Sequence, residues 1–200
     1  MRCLLPIVAS LLASCATTAE PTASATPTTP TSSETSSAPP AEQVAPTIVY
    51  LVRHAEKADD GTKNPPLTEA GTARAECLGR MFATAGVTHL YSTDLQRTEL
   101  TVTPLATALG LEVETLPAGD NAALIERLDG LAPGSVAVIA GHSNTVPAIA
   151  AELGTPLAEL DEQGYIPHEQ YDRLVSVIRS PSITPKLVEL RYCAPSATSP

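Results

Sequence analysis

The sequence predicts an α/β fold, a three-layer α/β/α sandwich around a mostly parallel central sheet. Strand-like and helix-like segments alternate along the chain, which implies right-handed βαβ units. Two of the strand-like segments, Ile48 to Val52 and Ser135 to Ala140, are apolar runs of the kind a strand covered on both faces needs. Each run ends abruptly on chemistry, Arg53-His54 after the first and Gly141-His142 after the second. In an open α/β sheet that carboxyl end is where the ligand crevice lies.

The elements follow in order. Ile48 to Val52 is the first strand. Leu67-Thr68-Glu69-Ala70-Gly71 opens a helix whose Ala70, Ala73, Cys77 and Met81 recur at helical spacing and are expected to face the core. Gly86 ends it. Val87 to Ser92 reads as a second strand. Thr93 and Asp94 are expected to cap a helix reaching Leu109, with Gly110 as its stop and Pro104 kinking or breaking it. Leu111 to Leu116 is a third strand and Asn121 to Leu131 a helix. After the apolar strand, Thr145 to Leu153 forms a helix that tolerates Pro147 in its first turn. Arg173 to Arg179 and Lys186 to Tyr192 read as two strands joined by a turn-rich segment.

Composition narrows the function. The 200-residue chain carries a formal charge of −10 and only 3% aromatic residues, with no tryptophan. It therefore lacks both the positive field and the stacking platforms of a nucleic-acid binder. An anionic substrate must be captured by a local positive pocket.

The front end reads as targeting sequence. Met1-Arg2 is followed by a short apolar stretch from Leu4 to Ala13, too short to span a bilayer. Leu12-Ala13-Ser14-Cys15 then resembles a bacterial lipobox, in which Cys15 becomes the lipidated first residue of an exported, membrane-anchored lipoprotein. Residues 1–15 are thus expected to be a signal peptide. Residues 16–46, almost entirely Ala, Thr, Ser and Pro, form a disordered tether. Residues 47–193 are expected to fold, and 194–200 form a tail. Cys77 and Cys193 remain in a disulfide-permissive compartment, and the sequence leaves open whether they are bridged or are two small core residues that never meet. No metal-ligand spacing is present.

If the strands are parallel, three segments open on one sheet edge: Arg53-His54, the helix start bearing Arg97, and Gly141-His142. Two arginines and two histidines at a helix N-terminus suit a tetrahedral dianion. In this order and context Leu51-Val52-Arg53-His54-Ala55-Glu56-Lys57, Leu67-Thr68-Glu69-Ala70-Gly71, Tyr91-Ser92-Thr93-Asp94-Leu95-Gln96-Arg97-Thr98 and Gly141-His142-Ser143-Asn144 resemble the histidine phosphatase (phosphoglycerate mutase-like) superfamily, in its small Arg-His-Ala form.

The resemblance implies a metal-independent phosphatase that needs no cofactor and hydrolyses small phosphomonoesters. His54 would attack phosphorus and form a phosphohistidine. Arg53, Arg97 and His142 would clamp the phosphoryl oxygens, with the Ser143 backbone N–H as a further donor. A neutral imidazole must attack, so the other ring nitrogen of His54 needs a local acceptor. The general acid of the family follows the third strand, where Asp120 stands; Asp120 is equally suited to cap the next helix. Ala55 replaces the commoner glycine. Glu56-Lys57-Ala58-Asp59 lacks the Ser and Asn that help hold phosphate in mutases, which favours a phosphatase, with Lys57 as a substrate contact or a solvated lysine. Glu56 serves either loop structure or substrate discrimination. His89 is expected to be structural, and His168 lies within reach of the crevice rim. The alternatives are a mutase-like phosphotransferase and a non-catalytic lipoprotein that binds phosphorylated ligands.

Overall fold

A computed structural model describes residues 44–193. The expected signal peptide, Cys15, nearly all of the tether and the tail lie outside the described residues.

Six strands form one sheet in the order β3-β2-β4-β1-β5-β6. The strands are β1 (Thr47–Arg53), β2 (His89–Thr93), β3 (Val113–Leu116), β4 (Val136–Gly141), β5 (Arg173–Ser180) and β6 (Ile183–Arg191). β1 pairs with β4, and β2 with both β4 and β3, all in parallel. β5 is antiparallel to β1 and to β6, so the sheet is mostly parallel with an antiparallel strand near one edge.

Four helices cover the two faces: α1 (Glu69–Phe82), α2 (Gln96–Leu109), α3 (Asn121–Asp129) and α4 (Thr145–Glu152). Alternate residues of the apolar strands serve alternate faces, as the pleat requires. Val49, Leu51, Ala137 and Ile139 pack with Leu124 and Leu128 of α3 and with Val146, Ile149 and Ala150 of α4. Val52, Val136, Val138 and Ala140 pack with Leu78 and Phe82 of α1 and with Val102 and Leu105 of α2. β1 and β4 are thus parallel neighbours whose following helices leave to opposite faces. That divergence opens a crevice at their carboxyl ends.

Three local expectations are corrected. The core face of α1 is Gly71, Arg74, Ala75, Leu78, Gly79 and Phe82, while Ala70, Ala73 and Met81 are exposed. A buried arginine and two close-packing glycines make this face look polar or featureless in the sequence. Pro104 does not break α2, which runs unbroken through it. α1 approaches there at Gly79, where a Cβ would lie 3.3 Å from both Pro104 and the Leu105 nitrogen, so interhelix packing holds the turn that the proline weakens. Thr93 and Asp94 do not cap α2. Thr93 ends β2, and the Gln96 N–H donates instead to Asn64 Oδ1 at 2.8 Å from a distant loop.

The question left open for the cysteines is resolved. Cys77 on α1 and Cys193 after β6 form a disulfide, with Cα atoms 6.1 Å apart. Cys77 is half-buried on the flank of α1, toward the chain end rather than the sheet.

Candidate active site

Arg53 and His54 leave β1 at the crevice floor. Arg53 is the register partner of Gly141, and the His54 N–H donates to the Gly141 carbonyl at 2.8 Å. Parallel pairing therefore carries His142 to the neighbourhood of His54, and their ring centroids lie 5.4 Å apart, edge to face. β2 delivers Thr93, and the first turn of α2 delivers Arg97.

The His54 imidazole is oriented by its own loop. Nδ1 lies 2.8 Å from the Ala55 carbonyl, which can only accept, so Nδ1 carries the proton and Nε2 presents a lone pair. Burial lowers the His54 pKa to about 3. The Ala55 carbonyl works against that shift, while the charges of Arg53, His142 and Arg97 reinforce it. The ring is therefore neutral at ordinary pH. Ala55 donates its N–H to Thr101 Oγ1 at 2.9 Å, and that hydroxyl donates to the Arg97 carbonyl at 2.6 Å. α2 thereby holds both the His54–Ala55 loop and Arg97.

His142 is likewise held neutral. Burial first, then Arg97 and Arg53, lower its pKa to about 4, with Asp94 opposing. Its Nε2 lies 3.0 Å from Thr93 Oγ1, which lies 2.7 Å from Thr98 Oγ1. Thr98 Oγ1 in turn donates within 2.7 Å of the Leu95 carbonyl. If each hydroxyl uses its single proton in that direction, His142 donates from Nε2 and Nδ1 is unprotonated.

The two arginines bring positive charge, and neither has a carboxylate partner among the described residues. Arg53 Nη1 donates to the carbonyls of Pro167, His168 and Gln170 at 3.1, 2.8 and 3.4 Å. Arg97 makes no hydrogen bond or ion pair among the described residues. The Nε atoms of both are buried and unpartnered there. Burial lowers the pKa of each, against opposing contributions at Arg53 from Tyr171, Glu169 and Glu56. Two guanidinium groups with unspent donors thus face two neutral imidazoles, which makes the crevice floor locally positive.

The structure thus brings together Arg53, His54, Arg97 and His142. Ser143 adjoins them, and its carbonyl accepts from the Ile166 N–H at 2.8 Å while the start of α4 has no side-chain cap at Asn144. Asp120 caps α3, accepting from the Ala123 N–H at 3.1 Å. It also lines a small cavity shared with Thr93 and Gly141, beside the crevice. Lys57 is exposed, its backbone bridged to Leu67. Glu56 serves the loop, through an ion pair with buried Arg74. His89 stacks on Tyr91 at the far end of β2. His168 contributes its carbonyl to Arg53 while its side chain is exposed.

Sequence reasoning missed Tyr171, whose ring centroid lies 4.2 Å from the Arg53 guanidinium carbon. It also missed the threonines 93, 98, 101 and 145. The last accepts the His142 N–H at 2.8 Å. Thr93 and Thr98 sat inside the motif 91–98, and Thr101 and Thr145 lie just beyond the ends of 91–98 and 141–144; nothing local in the sequence marks Tyr171.

Residues 49–127 match the family model described as the histidine phosphatase superfamily, branch 1. A 75-residue stretch is 39% identical to a probable phosphoglycerate mutase, GpmB, of Yersinia pestis, covering 34% of this chain and 35% of that protein. The chain thus spans about a third of the length of the curated relatives it matches. Among solved structures, the protein histidine phosphatase SixA complexed with tungstate has a TM-score of 0.56 at 22% identity, over 72% of this chain and 96% of that one. The putative phosphohistidine phosphatase SixA from Agrobacterium tumefaciens gives 0.54 at 19%, over 74% and 98%. A mycobacterial glucosyl-3-phosphoglycerate phosphatase complexed with VO3 gives 0.56 at 14%, over 73% and 99%. At these identities the likeness is one of fold.

Proposed function

We propose that the chain, whose residues 49–127 match the histidine phosphatase superfamily model, is a metal-independent member of that superfamily that hydrolyses small phosphomonoesters through a phosphohistidine on His54. One observation carries the reading: two guanidinium groups, Arg53 buried and Arg97 half-buried, whose buried Nε donors are unspent among the described residues, stand beside a neutral imidazole whose Nε2 lone pair is free. Unpaired buried cations are costly, and a phosphoryl dianion supplies the charge and acceptors they lack.

In this reading His54 Nε2 forms a bond to phosphorus while the ester P–O bond breaks. Asp120 gives its proton to the departing oxygen. Arg53, Arg97 and His142 stabilise the charge on the equatorial oxygens, and Ser143 adds its backbone N–H. Lys57 serves as an outer contact for the substrate. Water then attacks the phosphohistidine, deprotonated by the Asp120 carboxylate, and His54 is regenerated as inorganic phosphate leaves. The same proposal places the enzyme outside the cytoplasm on a lipid carried by Cys15, with the crevice open to small phosphorylated solutes and no role in nucleic-acid binding.

The test is hydrolysis of 4-nitrophenyl phosphate and trapping of the labelled phosphoryl group from a labelled ester by a denaturing alkaline quench, which preserves an N–P bond. The wild-type chain is expected to do both. Unchanged hydrolysis in His54→Ala would overturn the assignment. The identity to a probable phosphoglycerate mutase favours phosphotransfer as a second reading; product analysis with a phosphate acceptor present separates the two. Membrane partitioning unchanged by Cys15→Ser would refute the anchor.

A further inference from the structure

Arg53 is held by a segment more than a hundred residues away. Its Nη1 spends its protons on the carbonyls of Pro167, His168 and Gln170. Its guanidinium carbon lies 4.2 Å from the centroid of the Tyr171 ring. The same ring stands 6.1 Å from His54 and 6.4 Å from His168. The segment is itself fixed to the other active-site loop, because the Ile166 N–H donates to the Ser143 carbonyl at 2.8 Å, and it closes on itself through Gln170 N–H to the Pro167 carbonyl at 2.9 Å.

We propose that Tyr171 is a positioning residue for phosphoryl transfer, acting through Arg53. A guanidinium is a planar fork of five donors. Anchoring Nη1 alone fixes one corner and leaves the plane free to tilt. The Tyr171 ring against its face removes that freedom. The edge formed by Nε, which is buried and unpartnered, and Nη2 is then presented to the phosphoryl oxygens. The chemistry of the support matters as much as its shape. An aromatic face attracts a cation through its quadrupole without cancelling the charge. A carboxylate in the same place would neutralise Arg53 and repel the substrate. The neutral carbonyls on Nη1 follow the same logic. The whole support of Arg53 orients it while leaving its full positive charge for the anion. This inference rests on the phosphatase reading above.

The experiment compares Tyr171→Phe and Tyr171→Leu for kcat and KM on 4-nitrophenyl phosphate, for inhibition by orthovanadate, and for thermal midpoint. Phe keeps the ring and is expected to stay within about twofold of wild type, whereas Leu is expected to lower kcat/KM and weaken vanadate inhibition by about 5- to 30-fold, the range of a partly buried cation–π contact. The thermal midpoint should change little, because the segment keeps its hydrogen bonds to Arg53 and Ser143. Placed in an Arg53→Lys background, Tyr171→Leu should add less than about twofold, since its effect passes through the guanidinium fork. Leu within twofold of wild type, Phe losing as much as Leu, or a full additional loss in the Arg53→Lys background each overturns the inference. Tyr171→Met, which fills the space without an aromatic face, replaces Leu if that variant does not fold. A wild-type chain that neither hydrolyses the ester nor binds vanadate sinks the phosphatase reading and this inference with it. A wild-type chain that does both, beside an unaffected Leu variant, sinks this inference alone.

Discussion

Arg74 of α1 grips Glu56 with a bidentate ion pair. Nε donates to both carboxylate oxygens, at 3.1 and 2.9 Å, and Nη2 donates to Oε1 at 2.7 Å. Glu56 is two residues past His54, so the pair fixes the His54 loop to a helix. Arg74 Nη1 continues the chain of contacts to the carbonyls of Tyr192 and Cys193 at 3.2 and 2.9 Å. Burial works to raise the Glu56 pKa, but the hydrogen bonds and charge of Arg74 outweigh it and hold the carboxylate below its usual range. Thr68 completes the tie, donating its N–H to the Glu56 carbonyl at 2.9 Å while its hydroxyl caps α1. A Cβ at Gly71 would fall 2.2 Å from that carbonyl, so only glycine lets α1 approach the loop.

Glu56→Gln should therefore cost both stability and rate. Arg74 is 7% exposed and Glu56 24%, so removing the anion strands a buried cation. A fully buried pair broken in this way costs ~3–5 kcal/mol, and partial exposure of Glu56 reduces the expected loss to ~2–3 kcal/mol. Denaturant titration measures it. Replacing both partners, as Glu56→Gln with Arg74→Met, should recover part of the stability. Recovery of kcat would be smaller, because the loop stays untethered. Equal recovery of both would show that the pair does not position His54.

The disulfide reinforces the same corner. Cys77 and Cys193 are separated by 116 residues of chain, and closing a loop of that length is worth ~4–5 kcal/mol in the chain-entropy account, with ~2–5 kcal/mol the usual loss on removal. Cys193 also presents its carbonyl to Arg74. The Cys77→Ser, Cys193→Ser double variant should therefore lose thermal stability by that order and also show a lower kcat at temperatures well below its midpoint. An unchanged kcat there would mean that the C-terminal carbonyls do not help hold the Glu56 loop.

Much of this was legible in the sequence, for physical reasons. β1 and β4 announce themselves because a strand covered on both faces has no room for polar residues until it emerges. Arg53-His54 and Gly141-His142 are conspicuous for that reason. The α1 face was misread because its central residue, Arg74, is buried by pairing rather than by hydropathy, and because Gly71 and Gly79 contribute by having no side chain. The cap of α2 was misread because Asn64 supplies it from a loop with no periodicity. Tyr171 was invisible because its role depends on a return from β4 through 161–172 to Arg53, a meeting no local pattern encodes. The disulfide could be named as a possibility, but only the placement of α1 against the chain end decides it.

The two imidazoles predict the acid response. Their folded pKa values, about 3 for His54 and about 4 for His142, lie below the 6.5 of an ordinary histidine. Between those limits the unfolded chain binds protons that the folded chain refuses, so stability falls as pH drops from 6.5 toward 3. The Glu56 carboxylate adds loss in the same direction as it is protonated. Imidazole resonances followed by NMR in the unliganded protein should show neither ring titrating above pH 5. Thermal midpoints should fall steadily below pH 6.5, and less steeply in His54→Asn. A ring titrating near 6.5 would mean that the crevice is wetter than its burial implies.

Asp120 carries two separable duties. Its carboxylate caps α3 through the Ala123 N–H, and the proposed chemistry asks it for a proton. Asparagine caps a helix about as well as aspartate but cannot act as an acid. Asp120→Asn should therefore leave stability nearly unchanged while lowering kcat for an alkyl phosphate by ~10²–10⁴. With 4-nitrophenyl phosphate, whose leaving group departs readily as an anion, the loss in formation of the phosphohistidine should be far smaller. Asp120→Ala should add a stability loss of ~1 kcal/mol from the missing cap. If Asp120→Asn turns over both esters at the wild-type rate, the residue is only a cap. The proton must then come from water or from another carboxylate at the rim. Asp94 and Glu169 are the next to test, because their charges act on His142 and Arg53.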